Sequence, residues 1–478
     1  MEQQTQPQEM KRELGLLDGT MLVVGSMIGS GIFIVSADIM RNVGSAGWLI
    51  AIWLITGFMT LTAAVSYGEL SGMFPKAGGQ YIYLKEAYNE LIAFLYGWSF
   101  FAVIQTGTIA AVGVAFSKFA AYIFPSLSED LVLFQVGSLK ISHAQGVSLI
   151  IIILLTFINT RGVKSGKLIQ NTFTLTKILS LFGLIIFGLI AIKGDVWHAN
   201  WTDAWHMHAI NKDGSPGTMD YTIAAALGAV AAAMVGSIFS SDAWNNVTFI
   251  AGEMTNPKRN IGLSLFFGTL IVTFIYVMAN VVYIGVLPIH DIVTAAKDRV
   301  AVAASQQIFG SAGTIIIALM IMISTFGCNN GLIMSGARVY YTMAKDGLFF
   351  KRTGTLNKFS VPEFGLWIQC AVACVLCLSG SYGNLLDMIS LVVVIFYVLT
   401  IAGIYILRNK MPDAERPYKA FGYPVLPALY IIMGIAFCVV LLIYKPEYSR
   451  GGLVIVLSGI PIYYLAKRYI KDEEITAA

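Results

Sequence analysis

Long apolar stretches alternate with short polar segments along the whole of this chain. Twelve of the stretches approach or exceed the roughly 20 residues that a helix needs to cross about 30 Å of hydrocarbon. They lie near residues 16–41, 46–72, 90–124, 144–160, 168–192, 220–250, 261–287, 306–341, 362–380, 384–407, 425–444 and 452–469. The pattern predicts an all-α membrane protein with 12 transmembrane helices, which we number as spans 1 to 12.

Two of these spans carry small and polar residues at their centres. Span 1 has GSMIGSG at residues 25–31, and span 6 has GSIFSSD at residues 236–242. Glycine costs a helix about 1 kcal/mol relative to alanine and readily adopts non-helical angles. We therefore expect both helices to be broken in mid-membrane, although close packing of small residues against a neighbouring helix would explain either cluster taken singly.

Two broken spans at the heads of the two halves of the chain predict an inverted repeat of five plus five helices, as found in secondary transporters. The expected repeats are residues 16–192 and 220–407. An inner N-terminal segment at 1–15 precedes them, and two further helices at 425–469 and a tail at 470–478 follow. Free amides at one broken end attract an anion and free carbonyls at the other attract a cation. Such a site suits a small zwitterion, for example an amino acid.

The composition requires lipid as the solvent, since 57% of the 478 residues are hydrophobic and only 12% are charged. Most of the 31 lysines and arginines fall in alternate loops. By the positive-inside rule, those loops and both termini are expected in the cytoplasm, with the protein in the cytoplasmic membrane. The net charge of +4 is spread over these loops, so no nucleic acid partner is expected. All five cysteines lie in apolar stretches, which predicts no disulfide framework.

Two ionisable residues, Lys177 in span 5 and Asp242 in span 6, are predicted in mid-membrane. An ionisable group at that depth is a functional candidate by default, although Lys177 could also extend to the inner surface. No convergent set of catalytic residues occurs, so we expect no enzyme, no catalytic residue and no cofactor. His206 and His208 could ligate zinc, but the tryptophans around them are typical of an interfacial belt, and no metal is expected.

Several charged residues are predicted at the inner ends of spans. Glu69 and Glu253 lie near Lys76 and Lys258 in the sequence. Salt bridges of an inner gate and plain solvated helix ends both fit these positions. Arg338 is likewise expected at an inner helix end.

Five motifs in a fixed order resemble the amino acid–polyamine–organocation superfamily and, within it, the bacterial branch of the L-type amino acid transporter family. They are GSMIGSGIF (25–33), YGELSGMFPKAGGQYIYLKEAY (67–88), FSSDAWNNVTFIAGEMTNPKRNI (239–261), GARVYYTMAKDGLFF (336–350) and RPYKAFGYPVLP (416–427). The resemblance implies a LeuT-like fold and a sodium-independent secondary active transporter of neutral L-amino acids that works by alternating access. Exchange is the expected mode, and proton-coupled symport is the alternative.

The resemblance also implies how each end of the substrate is held. The carboxylate is expected on the backbone amides of Gly29, Ser30 and Gly31. The amino group is expected on the carbonyls of Met27, Ile28, Phe239, Ser240 and Asp242, with the Phe239 ring closing over the substrate. Mammalian members have glycine at the position of Asp242, so this carboxylate departs from their pattern.

Two further residues match positions of the family. Lys177 corresponds to a lysine that replaces sodium in sodium-independent members. Asn330 of span 8 corresponds to an asparagine near the substrate, and a helix–helix hydrogen bond would explain it equally well.

L-amino acids and membrane lipid are the expected partners. Mammalian members pair with a glycoprotein heavy chain through a cysteine between spans 3 and 4. The corresponding residues here, roughly 125–143, include no cysteine. No heavy chain is therefore expected.

Overall fold

The computed structural model describes residues 10–136, 139–217, 222–379, 382–444, 446 and 450–477. The first nine residues of the N-terminal segment, residues 220 and 221 at the start of the second repeat, and the tail residue Ala478 lie outside the described residues. Within these ranges nearly all regular structure is helical, as the apolar pattern predicts. The exception is an antiparallel hairpin in the loop after span 3, formed by β1 (Val132–Val136) and β2 (Leu139–Ser142).

Every predicted span overlaps a helix. In the first half the helices are α1 (Leu16–Met27), α2 (Gly31–Val43), α3 (Ala46–Met73), α4 (Gln80–Ala87), α5 (Glu90–Ser99), α6 (Gln105–Ile123), α7 (His143–Thr160), α8 (Val163–Ile190) and α9 (Gly194–Trp201). In the second half they are α10 (Ile223–Ser240), α11 (Asn246–Phe249), α12 (Pro257–Val286), α13 (Ile289–Val293), α14 (Val300–Lys345), α15 (Glu363–Ser379), α16 (Tyr382–Lys410), α17 (Val425–Tyr444) and α18 (Arg450–Ala477).

Nine of the described helices are long and apolar enough to cross a membrane, or ten when α1 and α2 are counted as one bent span. The chain is therefore a multi-pass α-helical membrane protein. The count of twelve spans stays a prediction, because α15 and α18 fall outside this set. The last helix, α18, also continues through the predicted tail as far as Ala477.

Two spans contain local irregularities. Span 3 runs from Glu90 to Ile123 through one π-helical turn at Phe100–Ile104, a distortion that is frequent at functional sites. The helix of span 8, α14, is 46 residues long and changes direction at Gly310, whose φ of 68° is available to glycine at little cost.

The helix breaks predicted in spans 1 and 6 are present. In span 1, α1 ends at Met27, α2 begins at Gly31, and the two axes differ by 42°. In span 6, α10 ends at Ser240, and Ala243 takes a left-handed conformation with φ of 62°. Every residue from 231 to 250 is buried, as are those from 22 to 37. Protein thus encloses the unwound backbone at both breaks, as its exposed amides and carbonyls require.

The inner half of span 6 is shorter than the sequence predicts. The four-residue helix α11 and a 3-10 turn at Ala251–Glu253 stand where a second half-helix was expected after the break, up to residue 250. A polar side chain in this segment bonds back to the segment's own backbone. The Thr248 hydroxyl donates to the Asn245 carbonyl at 2.7 Å, a contact that competes with regular helix.

The N-terminal segment is bound to the end of span 6. The amides of Glu13 and Leu14 donate to the Glu253 carbonyl at 2.9 and 3.0 Å, and the Thr255 amide donates to the Leu14 carbonyl at 2.8 Å. Leu14 is 2% exposed. The N-terminal end of span 1 and the C-terminal end of span 6 are therefore joined by backbone hydrogen bonds.

Candidate substrate site

The two helix breaks lie directly against each other. A Cβ atom placed on Gly31 would be 1.9 Å from Ser240 Oγ, so only glycine fits opposite this serine. The hydroxyl of Tyr276, in α12, lies 2.9 Å from the Met27 carbonyl and 3.0 Å from the Ser240 carbonyl. A phenol has one proton to donate, so the carbonyls at the ends of α1 and α10 share it.

The break in span 1 is a tight turn centred on Ile28. The Gly29 amide donates to the Met27 carbonyl at 2.8 Å, and Ile28 has φ of −74° and ψ of 86°, close to an inverse γ-turn. Of the amides predicted to bind a carboxylate, that of Gly29 is therefore engaged within the turn. Ser30 and Gly31 stand at the N-terminus of α2, where a helix presents amides and positive dipole to an anion.

Lys177 connects three elements through its ammonium group. Nζ donates to the carbonyls of Gly25 at 2.8 Å, Ile28 at 2.8 Å and Ser324 at 2.9 Å. The residue is 1% exposed and does not reach the inner surface in this structure. Its three donors are matched by three acceptors from span 1 and span 8.

The Ile28 carbonyl is directed away from the space between the breaks. It accepts from Lys177 and also from the Ser324 hydroxyl at 3.1 Å. This carbonyl was predicted to bind the substrate amine. In the present structure it accepts hydrogen bonds that connect span 1 to spans 5 and 8. Cys328 adds a second contact from span 8, since its thiol lies 2.9 Å from the Ser26 carbonyl.

Asp242 lies just beyond the break in span 6. Its amide donates to the Phe239 carbonyl at 3.2 Å, and its carboxylate accepts a hydrogen bond from the Tyr397 hydroxyl of α16. No lysine, arginine or histidine among the described residues forms an ion pair with this buried carboxylate.

Two small cavities meet at Asp242. One lies towards Phe100, Gln105 and Asn246, and the other towards Thr56, Met59 and Tyr430. Their volumes are about 10 and 20 Å³, enough for about one water molecule each. An amino acid is much larger, so the conformation described here is closed around the two breaks.

Asn330 takes part in contacts between helices. Its amide nitrogen donates to the Gly166 carbonyl at 3.0 Å and to Gln170 Oε1 at 3.1 Å, and its oxygen accepts from Asn159 Nδ2 at 2.9 Å. These bonds join span 8 to spans 4 and 5. Of the two interpretations that the sequence left open, the helix–helix hydrogen bond is the one this structure contains.

Several contact residues could not be identified from the sequence. Tyr276, Ser324, Cys328 and Tyr397 all lie in apolar spans, where a single hydroxyl or thiol is common. Asn329 is a further case. It is 1% exposed, and neither atom of its amide has a hydrogen-bond partner in the part of the chain that the structure describes. A buried amide in this state is a candidate for ligand contact.

Two buried carboxylates form ion pairs on the side of the breaks where span 1 begins. Glu253 is 0% exposed and bonds to Arg338, 1% exposed, at 2.8 Å. Glu69, also 1% exposed, pairs with Arg408 at 2.7 Å and with Arg416 at 3.3 Å. Arginine suits such positions because its planar group is weakly hydrated and donates in fixed directions.

The expectations for these charges need two corrections. The partners of Glu69 and Glu253 are arginines distant in the sequence, in α14, α16 and the loop after α16. The sequence neighbours Lys76 and Lys258 are exposed. Arg338 was expected at a helix end, but it lies inside α14 and is buried.

On the opposite side, Arg41 at the end of α2 bonds to Asp298 and donates to the Val293 carbonyl at 2.6 Å. Span 1 is therefore held at both of its ends.

Comparison with known proteins identifies the family. The sequence model described as "Amino acid permease" matches residues 14–466. The serine/threonine exchanger of Bacillus subtilis (strain 168) is 30% identical over 469 residues, which cover 97% of this chain and 99% of that protein. The human large neutral amino acids transporter small subunit 2 is 28% identical over 459 residues, covering 95% and 80%. The mouse b(0,+)-type amino acid transporter 1 is 27% identical over 463 residues, covering 96% and 89%.

These relatives are transporters and not enzymes. Since the family match covers nearly the whole chain, this protein belongs to the amino acid permease family of the amino acid–polyamine–organocation superfamily.

Proposed function

We propose that this chain exchanges neutral L-amino acids across the cytoplasmic membrane by alternating access, without sodium. One observation carries the proposal. The ends of two broken helices converge on the Tyr276 hydroxyl, beside an ammonium that holds the broken part of span 1. The descriptions of two relatives, a serine/threonine exchanger and a large neutral amino acids transporter, support the substrate class and the exchange mode.

The carboxylate of the substrate binds at the N-terminus of α2, on the amides of Ser30 and Gly31, with the Gly29 amide joining as its turn opens. The amino group binds among the carbonyls of Met27 and Ser240. Each carbonyl has two lone pairs, so both can accept from an ammonium while Tyr276 stays in place. The carbonyls of Phe239 and Asp242 complete the amine site, and the Phe239 ring covers the substrate from outside.

Substrate entry requires the breaks to separate. The cavities at Asp242 hold about 30 Å³ together, so binding must favour a more open arrangement over the closed one. Lys177 provides the fixed point for this movement. Its ammonium occupies a cage of three carbonyls of the kind that binds a monovalent cation, and it thereby makes sodium unnecessary.

The proposed architecture places residues 16–192 and 220–407 as two inverted repeats with a LeuT-like fold. Residues 425–469 form two additional spans, and both the segment 1–15 and the tail 470–478 lie in the cytoplasm. The chain functions without a heavy-chain glycoprotein, since the segment between spans 3 and 4 has no cysteine to bond one.

Proton-coupled symport is a second candidate, and one feature favours it. Asp242 is a buried carboxylate that the Tyr397 hydroxyl contacts and that no basic group pairs with among the described residues. Burial of an uncompensated charge is costly, and a bound proton would remove that charge.

The test uses the full chain in proteoliposomes. Exchange predicts that unlabelled serine or leucine inside accelerates uptake of the labelled amino acid, that choline replaces external sodium without effect, and that an inward proton gradient does not drive uptake into empty vesicles. Uptake into empty vesicles that follows the proton gradient would instead support symport. Uptake that depends on sodium, or that is insensitive to internal substrate, would contradict the proposal.

A further inference from the structure

We infer that the inner face of the protein carries a binding site for an anionic phospholipid, at the start of α12. A cavity of about 980 Å³ lies there between α3, α12 and the loop that joins α16 to α17. It is more than twenty times larger than either cavity at Asp242 and falls within the range of ligand sites.

One end of the cavity is basic. Lys258 and Arg259 lie in the first turn of α12, and Lys419 faces them from the loop. Lys258 also pairs with Glu415 at 2.8 Å, but both groups are largely exposed, so this pair is weak. Neither Arg259 nor Lys419 forms an ion pair with a carboxylate in the described ranges. Two positive charges therefore stay uncompensated, next to the N-terminus of a 30-residue helix, whose dipole also favours an anion.

The other end of the cavity is apolar and opens towards the bilayer. Leu263 and Phe266 line it from α12, and Phe421, 70% exposed, lines it from the loop. From Phe266 an exposed apolar stripe continues one helical turn at a time through Leu270 and Phe274. An acyl chain can follow this stripe into the membrane while its headgroup stays at the basic end.

The loop that forms one wall is held in place by buried contacts. Glu69 in α3 accepts from the Ala420 amide at 2.7 Å and pairs with Arg416. The ring of Tyr418 lies against Gly68, where an added Cβ would be 2.9 Å from it. A wall fixed in this way presents Lys419 and Phe421 without the cost of ordering a mobile loop on binding.

Charge and shape together select the ligand. Basic pockets at the inner ends of transmembrane helices match the phosphate of an anionic lipid, and the continuous apolar stripe distinguishes a lipid from a free phosphate ion. The amino acid substrate is zwitterionic and has no counterpart for this stripe. The inner leaflet also supplies such lipids at the depth where α12 begins, under the orientation proposed above.

Native mass spectrometry of the full chain in detergent tests the inference, with phosphatidylglycerol and phosphatidylcholine of identical acyl chains as probes. The wild type is expected to retain phosphatidylglycerol in preference. The variant Arg259→Gln/Lys419→Gln should bind it about twenty-five-fold more weakly, because each basic group near an anionic lipid contributes a factor of about five. Val65→Phe, which fills the apolar part of the cavity and keeps every charge, should also lose the lipid.

The matched control is Lys351→Gln/Lys358→Gln, which removes the same charge from exposed inner positions outside the cavity and should bind like the wild type. Equal retention of both lipids, wild-type binding by the Arg259→Gln/Lys419→Gln variant, or equal loss in the control would overturn the inference. So would displacement of phosphatidylglycerol by an equal concentration of inorganic phosphate. Because the readout is lipid binding, these outcomes are independent of whether the chain exchanges amino acids.

Discussion

The side chain of Lys177 places a positive charge in the buried interior of the protein. Three backbone carbonyls surround the ammonium at 2.8 to 2.9 Å. The ammonium joins the carbonyls of Gly25 and Ile28, in span 1, to the Ser324 carbonyl of span 8. The lysine therefore acts on the shape of the break. It touches none of the amides predicted to bind the carboxylate.

Removal of this charge should slow exchange more than it weakens substrate binding. We expect Lys177→Ala to exchange at least about tenfold more slowly, a loss of roughly 1.4 kcal/mol, with a smaller change in apparent affinity. Lys177→Met, which keeps the volume, should behave in the same way. The measurements are exchange rate and half-saturation in proteoliposomes.

The matched control for Lys177 is Lys193→Ala, because Lys193 is exposed and its ammonium bonds only to Gln307 Oε1 among the described residues, at 2.9 Å. It should exchange normally. Lys177 variants that are folded and exchange at the wild-type rate would remove the lysine from the mechanism.

Gly31 and Ser240 form a matched pair for a second prediction at this scale. Gly31→Ala places a methyl group within 1.9 Å of Ser240 Oγ and must push the two breaks apart, so exchange should fall at least about tenfold. Ser240→Gly alone should have a small effect, since its hydroxyl donates only to the Gly236 carbonyl among the described contacts.

The double variant Gly31→Ala/Ser240→Gly should recover part of the lost exchange, as the methyl group then occupies the space of the serine side chain. Initial uptake rates of the four proteins, normalised to protein amount, give the comparison. If the reductions in uptake rate caused by the two single substitutions combine independently in the double variant, the two residues do not interact.

Among the helices, span 6 contains both a feature that the sequence predicts and one that it does not. Its break was predictable, because small and polar residues interrupt an apolar run at 236–242. The short half after the break was not, because the Asn245 side chain bonds to Gln80, 165 residues away in the chain, and the left-handed Ala243 has no signal in the local pattern. The ion partner of Glu253 was missed for the same reason, since Arg338 lies 85 residues further along the chain.

The pair between Glu253 and Arg338 predicts a specific pattern of stability. Glu253→Leu or Arg338→Met alone should destabilise the protein by about 3–5 kcal/mol, because each leaves one buried charge without its partner. The variant with both substitutions should be more stable than either single variant. Unfolding of the detergent-purified proteins, followed by heat or denaturant, measures the differences.

Lys258→Gln/Glu415→Gln, at the exposed pair, is the control and should change stability by less than about 1 kcal/mol. Single variants at Glu253 and Arg338 that are as stable as this control would refute the structural importance of the buried pair.

For the whole molecule, apolar periodicity and glycine clusters predicted the class of protein, the positions of the spans and the two breaks. Contacts across the fold could not be predicted in this way. Tyr276 lies 249 residues from Met27 in the chain, and only the packing of α12 between the two breaks brings its hydroxyl to both carbonyls. The hydrogen bonds of Asn330 were undecided for the same reason, because either helix packing or the substrate could satisfy an amide in span 8.

The two-ended site makes a prediction for ligands. An amino acid methyl ester and the corresponding deaminated acid should each compete for uptake at least about tenfold less well than the parent, because an unpaired buried polar group costs about 1–3 kcal/mol. Competition against a labelled neutral amino acid in proteoliposomes measures this. If the ester or the deaminated acid competes as well as the parent amino acid, the site does not recognise both the carboxylate and the amino group.

The backbone hydrogen bonds that join the N-terminal segment to the end of span 6 have a consequence for isotope exchange. The amides of Glu13, Leu14 and Thr255 are protected only while this contact exists, so an opening of the inner face that separates the segment from span 6 exposes them to solvent. Deuterium uptake by the peptides containing these amides therefore counts inner openings directly. Substrate that speeds alternation should raise their labelling rate, and amides in the middle of α3 should keep theirs.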